Sequence, residues 1–107
     1  MSEAASPILS IERVRDALRE VVDPELGLSI VELGLVYDIE IDNSLVRVRM
    51  TFTTPACPVG PYILQSVHQA VAVLEGVQKV EVKLTFDPPW GLEKASEEIQ
   101  AKFGLLT

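Results

Sequence analysis

The chain carries one cysteine, Cys57, in the stretch Thr53-Thr54-Pro55-Ala56-Cys57-Pro58-Val59-Gly60-Pro61. An alternating apolar segment precedes this stretch and a segment with helical apolar spacing follows it, so the thiol falls between a strand end and a helix start. Free amide groups and the helix dipole at such a start favour a thiolate, the form that binds soft metals or attacks electrophiles. Two readings stand on these residues alone: a working thiol, or a small buried apolar residue of the kind cysteine often is. One thiolate cannot complete a tetrahedral metal or cluster site, which takes about four ligands. A metal role for Cys57 therefore needs a second subunit, another ligand type or a client protein. The lone His68 lies eleven residues further on, roughly 16 Å along a helix at ~1.5 Å per residue, so a local Cys–His catalytic pair is excluded.

Three acidic residues stand beside prolines at element ends: Asp23 and Glu25 around Pro24, and Asp87 before Pro88-Pro89. Such residues commonly shape turns. They would also line the mouth around Cys57 if the loops gather at one end of a sheet. Trp90 reads as a lid over the core, given the area an indole buries. Tyr62, Ser66, Gln69 and Val73 share the outer face of the helix after Cys57, which reads as a solvated face.

The elements that would position these groups follow from spacing. Ser10 is suited to cap a first helix, whose stripe of Ile11, Val14, Leu18, Val21 and Val22 runs until Pro24 disfavours helix at Asp23. Asp23 to Gly27 is a turn, and residues 28–34 form a connector without clear period. Leu35, Tyr37, Ile39 and Ile41 alternate with Asp38, Glu40 and Asp42 as a half-buried strand. Asp42-Asn43-Ser44 turns into a partner strand with Val46, Val48, Met50 and Phe52 inward and Arg47, Arg49, Thr51 and Thr53 outward. Acidic residues on one strand and Arg47 and Arg49 on the next suit cross-strand pairing. Gly60 as cap and Pro61 as first residue open the second helix, with Ile63, Leu64, Val67, Val71 and Leu74 as its stripe and Gly76 as its stop. Val80, Val82, Leu84 and Phe86 alternate in a third strand that ends at Pro88-Pro89. Ser96 caps a last helix through Ile99 and Phe103, closed by Gly104.

The predicted fold is α+β: a two-layer α-β-β-α-β-α domain whose three-stranded mixed sheet has helices on one face only. The second helix is a crossover, so the third strand should run parallel to the second and beside it. The 107 residues form one domain, 1–107, with residues 1–8 flexible. A net charge of −7 argues against a nucleic-acid or anionic-membrane partner. One cysteine makes no internal disulfide, and the first ten residues lack the basic and apolar regions of a secretory signal, so the expected location is the cytoplasm.

Four motifs in order carry a family resemblance: Asp23-Pro24-Glu25-Leu26-Gly27, Val31-Glu32-Leu33-Gly34-Leu35-Val36-Tyr37, Thr53-Thr54-Pro55-Ala56-Cys57-Pro58 and Asp87-Pro88-Pro89-Trp90. The chain resembles the SufT/PaaD-type metal–sulfur cluster biosynthesis proteins of the iron–sulfur cluster assembly domain superfamily, from about the first helix through Trp90. The resemblance implies an accessory factor, not a turnover enzyme, that assembles or transfers a transient iron–sulfur cluster to client apoproteins. It implies Cys57 as the reactive, cluster-binding thiol, with Asp23, Glu25, Thr53, Thr54 and Asp87 around it. The implied partners are iron–sulfur scaffold and client proteins, or a second copy in a homodimer. An adaptor that only docks scaffold to client is the alternative. A PaaD-like factor serving a phenylacetyl-CoA ring oxygenase is a further one; that branch usually carries a C-terminal cysteine-rich extension, and the closing Gly104-Leu105-Leu106-Thr107 holds no further cysteine, which favours the SufT-like expectation.

Overall fold

Alternation builds the centre of the protein. The computed structural model describes residues 9–54 and 56–103. The elements are α1 (Ile11–Leu18), β1 (Val22–Asp23), β2 (Leu28–Ser29), β3 (Val36–Asp42), β4 (Leu45–Met50), α2 (Gly60–Ala72), β5 (Lys79–Leu84), a 3-10 turn (Leu92–Lys94) and α3 (Glu97–Phe103). The main sheet has the order β3-β4-β5. β3 and β4 pair antiparallel, and β4 and β5 pair parallel through α2. This is the expected α+β arrangement. The strand between helix and helix lies beside its predecessor because a right-handed crossover of this length reaches the neighbouring position.

Val46, Val48 and Met50 of β4 are wholly buried, as are Ile63, Val67 and Val71 of α2 and Val14 and Leu18 of α1. These stripes meet in one core, each such side chain contributing about 1.5–3 kcal/mol of burial. On the opposite face Arg47 pairs with Glu81 at 3.1 Å and Glu40 at 3.7 Å, across both neighbouring strands. These side chains are 41–63% exposed, so each pair contributes only about 0.2–1 kcal/mol. The apolar face sets the register and the charges follow it.

The structure corrects some expectations and extends others. α1 ends at Leu18, one turn before Val22, because Val21 and Val22 leave the helix for extended backbone: Ile30 N–H donates to the Val21 carbonyl and Val22 pairs with Ser29. Ile11 and Val22 are accordingly exposed rather than part of the stripe. The turn at Asp23–Gly27 closes a two-stranded hairpin of β1 and β2, and Gly27 there takes φ +69°. A bulge between Val36 and Asp38 moves Tyr37 out of phase, so Val36, not Tyr37, sits opposite the inward-facing Met50.

The outer face is not open along its whole length. Tyr37 lies against the cations of Arg49 and Lys94, 5.8 and 5.4 Å from the ring centre, and its hydroxyl donates to the Pro88 carbonyl at 2.9 Å. Thr51, outward by alternation, is fully buried beneath this segment. The segment is tied down by Ser96 N–H on the Glu32 carbonyl and by close packing on Gly34, where φ is +77° and a Cβ would overlap the Lys94 carbonyl. α2 ends at Ala72, before the Gly76 stop, and Val77 N–H closes a further turn on Leu74. Ser96 caps α3 as expected, its hydroxyl accepting from Ile99 N–H at 3.4 Å. The expectations for residues 1–8 and for a stop at Gly104 lie outside the described residues.

Burial and the Glu93 carboxylate push the Tyr37 phenol above its ordinary 10.0, against the opposing pull of Arg49 and Thr51. The fold thus holds this proton more tightly than the unfolded chain does. Its contribution is fully present below the ordinary value and is lost as pH rises through the raised one. In urea titrations Tyr37→Phe should lose the Pro88 hydrogen bond, about 0.5–1.5 kcal/mol at pH 7, and should show a shallower fall in stability above pH 10 than wild type. Parallel stability–pH curves for both proteins would overturn this.

Candidate functional site

The parallel pairing of β4 and β5 decides where the loops meet. The two strands run in register from Leu45 with Lys79 to Met50 with Leu84, and Thr85 N–H extends the ladder to the Met50 carbonyl at 2.8 Å. Phe52 and Phe86, two residues beyond each strand, stack edge to face with ring centres 6.2 Å apart. β3 starts at the same end, where Thr51 N–H donates to the Leu35 carbonyl. The Cys57 loop, the Asp87 loop and the connector before β3 therefore share one end of the sheet.

Within the Cys57 loop the backbone turns twice. Cys57 N–H donates to the Thr54 carbonyl and Gly60 N–H to the Cys57 carbonyl, each at 3.2 Å. Thr54 accepts Ala56 N–H on its hydroxyl at 3.3 Å and is itself exposed. Cys57 is a free thiol, half-buried, with its apolar flank on the core. Val59, not Gly60, is the N-cap of α2, with Gly60 first and Pro61 second in the helix. Cys57 thus sits two residues ahead of the cap. The first turn carries no acidic side chain and no side-chain cap, leaving its amide groups and positive dipole end unopposed. Gly60 is buried under Phe52: a Cβ there would meet the ring at 2.6 Å.

The other predicted residues divide. Asp23 is buried, and its carboxylate accepts from Glu25 N–H at 2.8 Å and Leu26 N–H at 3.4 Å. It shapes its own turn. Glu25 is exposed on that turn. Asp87 is exposed too, with its N–H on the Thr85 hydroxyl at 3.2 Å. Among the described residues no hydrogen bond or ion pair links Cys57 to Asp23, Glu25 or Asp87, and no three His, Cys, Asp or Glu side chains are grouped to hold a metal.

What the structure does bring together is Thr53, Leu26 from the acidic turn, and Trp90 from beyond Asp87. With Leu33, Leu92 and Ile99 they line an apolar cavity of about 350 Å³. Trp90 is fixed as one wall by its indole N–H on the Leu33 carbonyl at 2.7 Å. Periodicity does not reveal this wall, because Leu26, Leu33 and Leu92 lie in turns rather than on a stripe; the signal for it is an apolar residue inside each turn motif. A larger groove of about 680 Å³ between the segment following α1 and the helix α2 is lined by Val22, Tyr62, Ser66 and Gln69 among others, and contains none of the candidate site residues. His68 is exposed on the flank of α2.

Residues 11–84 match the family model described as iron–sulfur cluster assembly protein. The chain belongs to this family. Within it, the chain is 42% identical over 95 residues to the Fe-S protein maturation auxiliary factor YitW of Bacillus subtilis, covering 88% of this chain and 93% of that one. It is 40% identical over 86 residues to the Fe-S protein maturation auxiliary factor SufT of Staphylococcus aureus, covering 79% and 98%. Among solved structures, the conserved hypothetical protein TM0487 of Thermotoga maritima superposes with a TM-score of 0.81 at 52% identity, covering 90% of this chain and 95% of that one. The SufT-type resemblance is thereby the family relationship of the chain, and the α+β fold is shared with the T. maritima structure.

Two substitutions test the scaffold of this site. Asp23→Ala strips the acceptor from two turn amides and should cost about 1–3 kcal/mol in chemical denaturation. An unchanged midpoint would show that the carboxylate does not hold the turn. Gly60→Ala forces a methyl group into the buried Phe52 ring and should cost about 1–3 kcal/mol, with the amides of the Cys57 loop exchanging faster. Wild-type stability and exchange would remove the Phe52–Gly60 contact from the account.

Proposed function

We propose that this protein is an accessory factor in iron–sulfur cluster assembly or transfer, and that Cys57 is the residue through which it receives and passes a cluster. The observation that carries the reading is the half-buried thiol of Cys57, two residues ahead of an uncapped helix start, in a chain whose family model is iron–sulfur cluster assembly. The names of the B. subtilis and S. aureus relatives, maturation auxiliary factors, support the same role. The cluster is cargo. Cys57 loses its proton to solvent, its thiolate forms one Fe–S bond as one thiolate of the donor leaves, and the reverse exchange delivers the cluster to the client. Electrons are conserved in this ligand exchange, so no oxidant is needed and the protein is a carrier rather than a turnover enzyme.

One thiolate supplies about a quarter of a cluster's ligands, so the remaining ones come from the donor or the client. Thr53 and Thr54 belong to the same loop as Cys57, and the cavity of Leu26, Thr53 and Trp90 lies at the same end of the sheet, with Asp23 holding the turn that carries Leu26 and with Glu25 and Asp87 exposed on their turns. A lone thiol that must stay reduced fits the cytoplasm. Among the described residues no helix is long and apolar enough to cross a membrane.

A second reading, an adaptor that docks scaffold to client, is favoured by the groove beside Tyr62, which is 59% exposed. Anaerobic transfer of a cluster from a loaded scaffold to an apoprotein separates the two. Cys57→Ala should fold as wild type by circular dichroism and lose the acceleration of transfer, while Tyr62→Glu retains it. A normal transfer rate with Cys57→Ala would sink the thiol reading, and loss with Tyr62→Glu alone would establish the adaptor.

A further inference from the structure

One edge of the sheet is built to pair with itself. β5 is the last strand of the order β3-β4-β5, and among the described residues no strand lies on its other side. Lys79 N–H donates to Ser44 and Thr85 N–H to Met50, so the alternate residues Lys79, Glu81, Lys83 and Thr85 turn their amides toward β4. Val80, Val82 and Leu84 turn theirs outward. The side chains of these three lie on the core face, opposite Val46, Val48 and Met50, but cover it incompletely: Val80 and Val82 are half-buried and Leu84 is 40% exposed.

We propose that β5 is a homodimerisation edge, occupied by β5 of a second copy running antiparallel about a two-fold axis at Val82. In this register Val82 pairs with the Val82 of its copy, and Val80 with Leu84 in both directions. All three outward-facing residues then exchange both backbone hydrogen bonds, about six in total. On the core face the exposed Leu84 side chain is covered by the Val80 of the other copy. On the outer face each Glu81 stands directly opposite a Lys83, twice over. Lys83 makes no ion pair among the described residues. Moving the axis to Glu81 or to Lys83 sets like charges against each other, so the sign pattern selects the Val82 register. Charged edge strands ordinarily discourage pairing. The other edge, β3, does so: Asp38, Glu40 and Asp42 share its outer face, and a self-pair there would stack acid on acid.

The dimer has a consequence for the thiols. Antiparallel pairing sends the Cys57 ends of the two copies in opposite directions, and the two Leu84 residues alone are separated by four strand positions, about 13 Å. A metal–thiolate bond spans about 2.3 Å, so the two Cys57 residues cannot share one cluster. Each copy would work with its own donor or client. The pairing itself rests on the strand and not on the cluster reading, so metal-free protein tests it separately.

Sedimentation equilibrium of metal-free protein at about 1 mM should give twice the chain mass of 11.7 kDa. Lys83→Glu places acid opposite Glu81 and should sediment as a monomer, with an unchanged circular dichroism spectrum because the side chain is exposed. Glu81→Lys should be monomeric as well, by base against base. An equimolar mixture of Lys83→Glu with Glu81→Lys restores both opposite-charge pairs and should return to the dimer mass. A monomeric wild type, a dimer that persists in Lys83→Glu, a mixture that stays monomeric, or a species larger than two copies would each overturn the proposal.

Discussion

The site depends on one contact between elements, the Phe52 ring seated on the backbone of Gly60. Phe52 continues the inward face of β4, and Gly60 is the first residue of α2, so this contact pins strand end to helix start. Between them the chain turns back through the Thr54–Cys57 and Cys57–Gly60 backbone bonds, and the thiol stands just ahead of a helix start that no side chain caps. A residue with a Cβ at position 60 would lift the helix off the strand, and the loop would lose the geometry that places its sulfur.

The second organising device is the return of the chain after β5 across the connector before β3. Trp90 on Leu33, Lys94 on Gly34 and Ser96 on Glu32 fasten it there. This return turns a two-layer domain with one open face into one whose Cys57 end is covered on both sides. It buries Thr51, recruits Tyr37 through the β3 bulge, and forms the apolar wall beside Thr53. At the far side of β5 the opposite holds: among the described residues no strand covers that edge, where Glu81 alternates with Lys79 and Lys83.

Family membership joins these features to a role in iron–sulfur assembly, and the geometry limits how the role is carried out. The acidic residues of the motifs are not assembled as ligands. Asp23 commits its carboxylate to two backbone amides, and Glu25 and Asp87 stand exposed on turns. Asp23 thereby holds the turn that carries Leu26, and a cluster-ligand role in the proposed function falls to Cys57 together with its partner.

Much of this architecture is legible in the amino-acid sequence. The strict alternation at Val46, Val48 and Met50 and the helical stripe at Ile63, Val67 and Val71 determine three strands, a crossover and a parallel pair, because a period of two or of 3.6 admits only one buried face. The cysteine count alone rules out a complete cluster site on one chain. Sequence does not show that Val21 and Val22 end a helix early, since the same residues continue its stripe and only pairing with Ser29 and Ile30 draws them into a hairpin. Nor does it show Tyr37 out of phase, because a bulge is set by the partner strand. The contact of Phe52 with Gly60 and the cavity of Leu26, Thr53 and Trp90 join residues far apart in sequence or placed in turns, where no period exists to read. Local patterns determined which residues face inward; only the tertiary structure decided which loops share the Cys57 end of the sheet, because that depends on where whole elements come to rest.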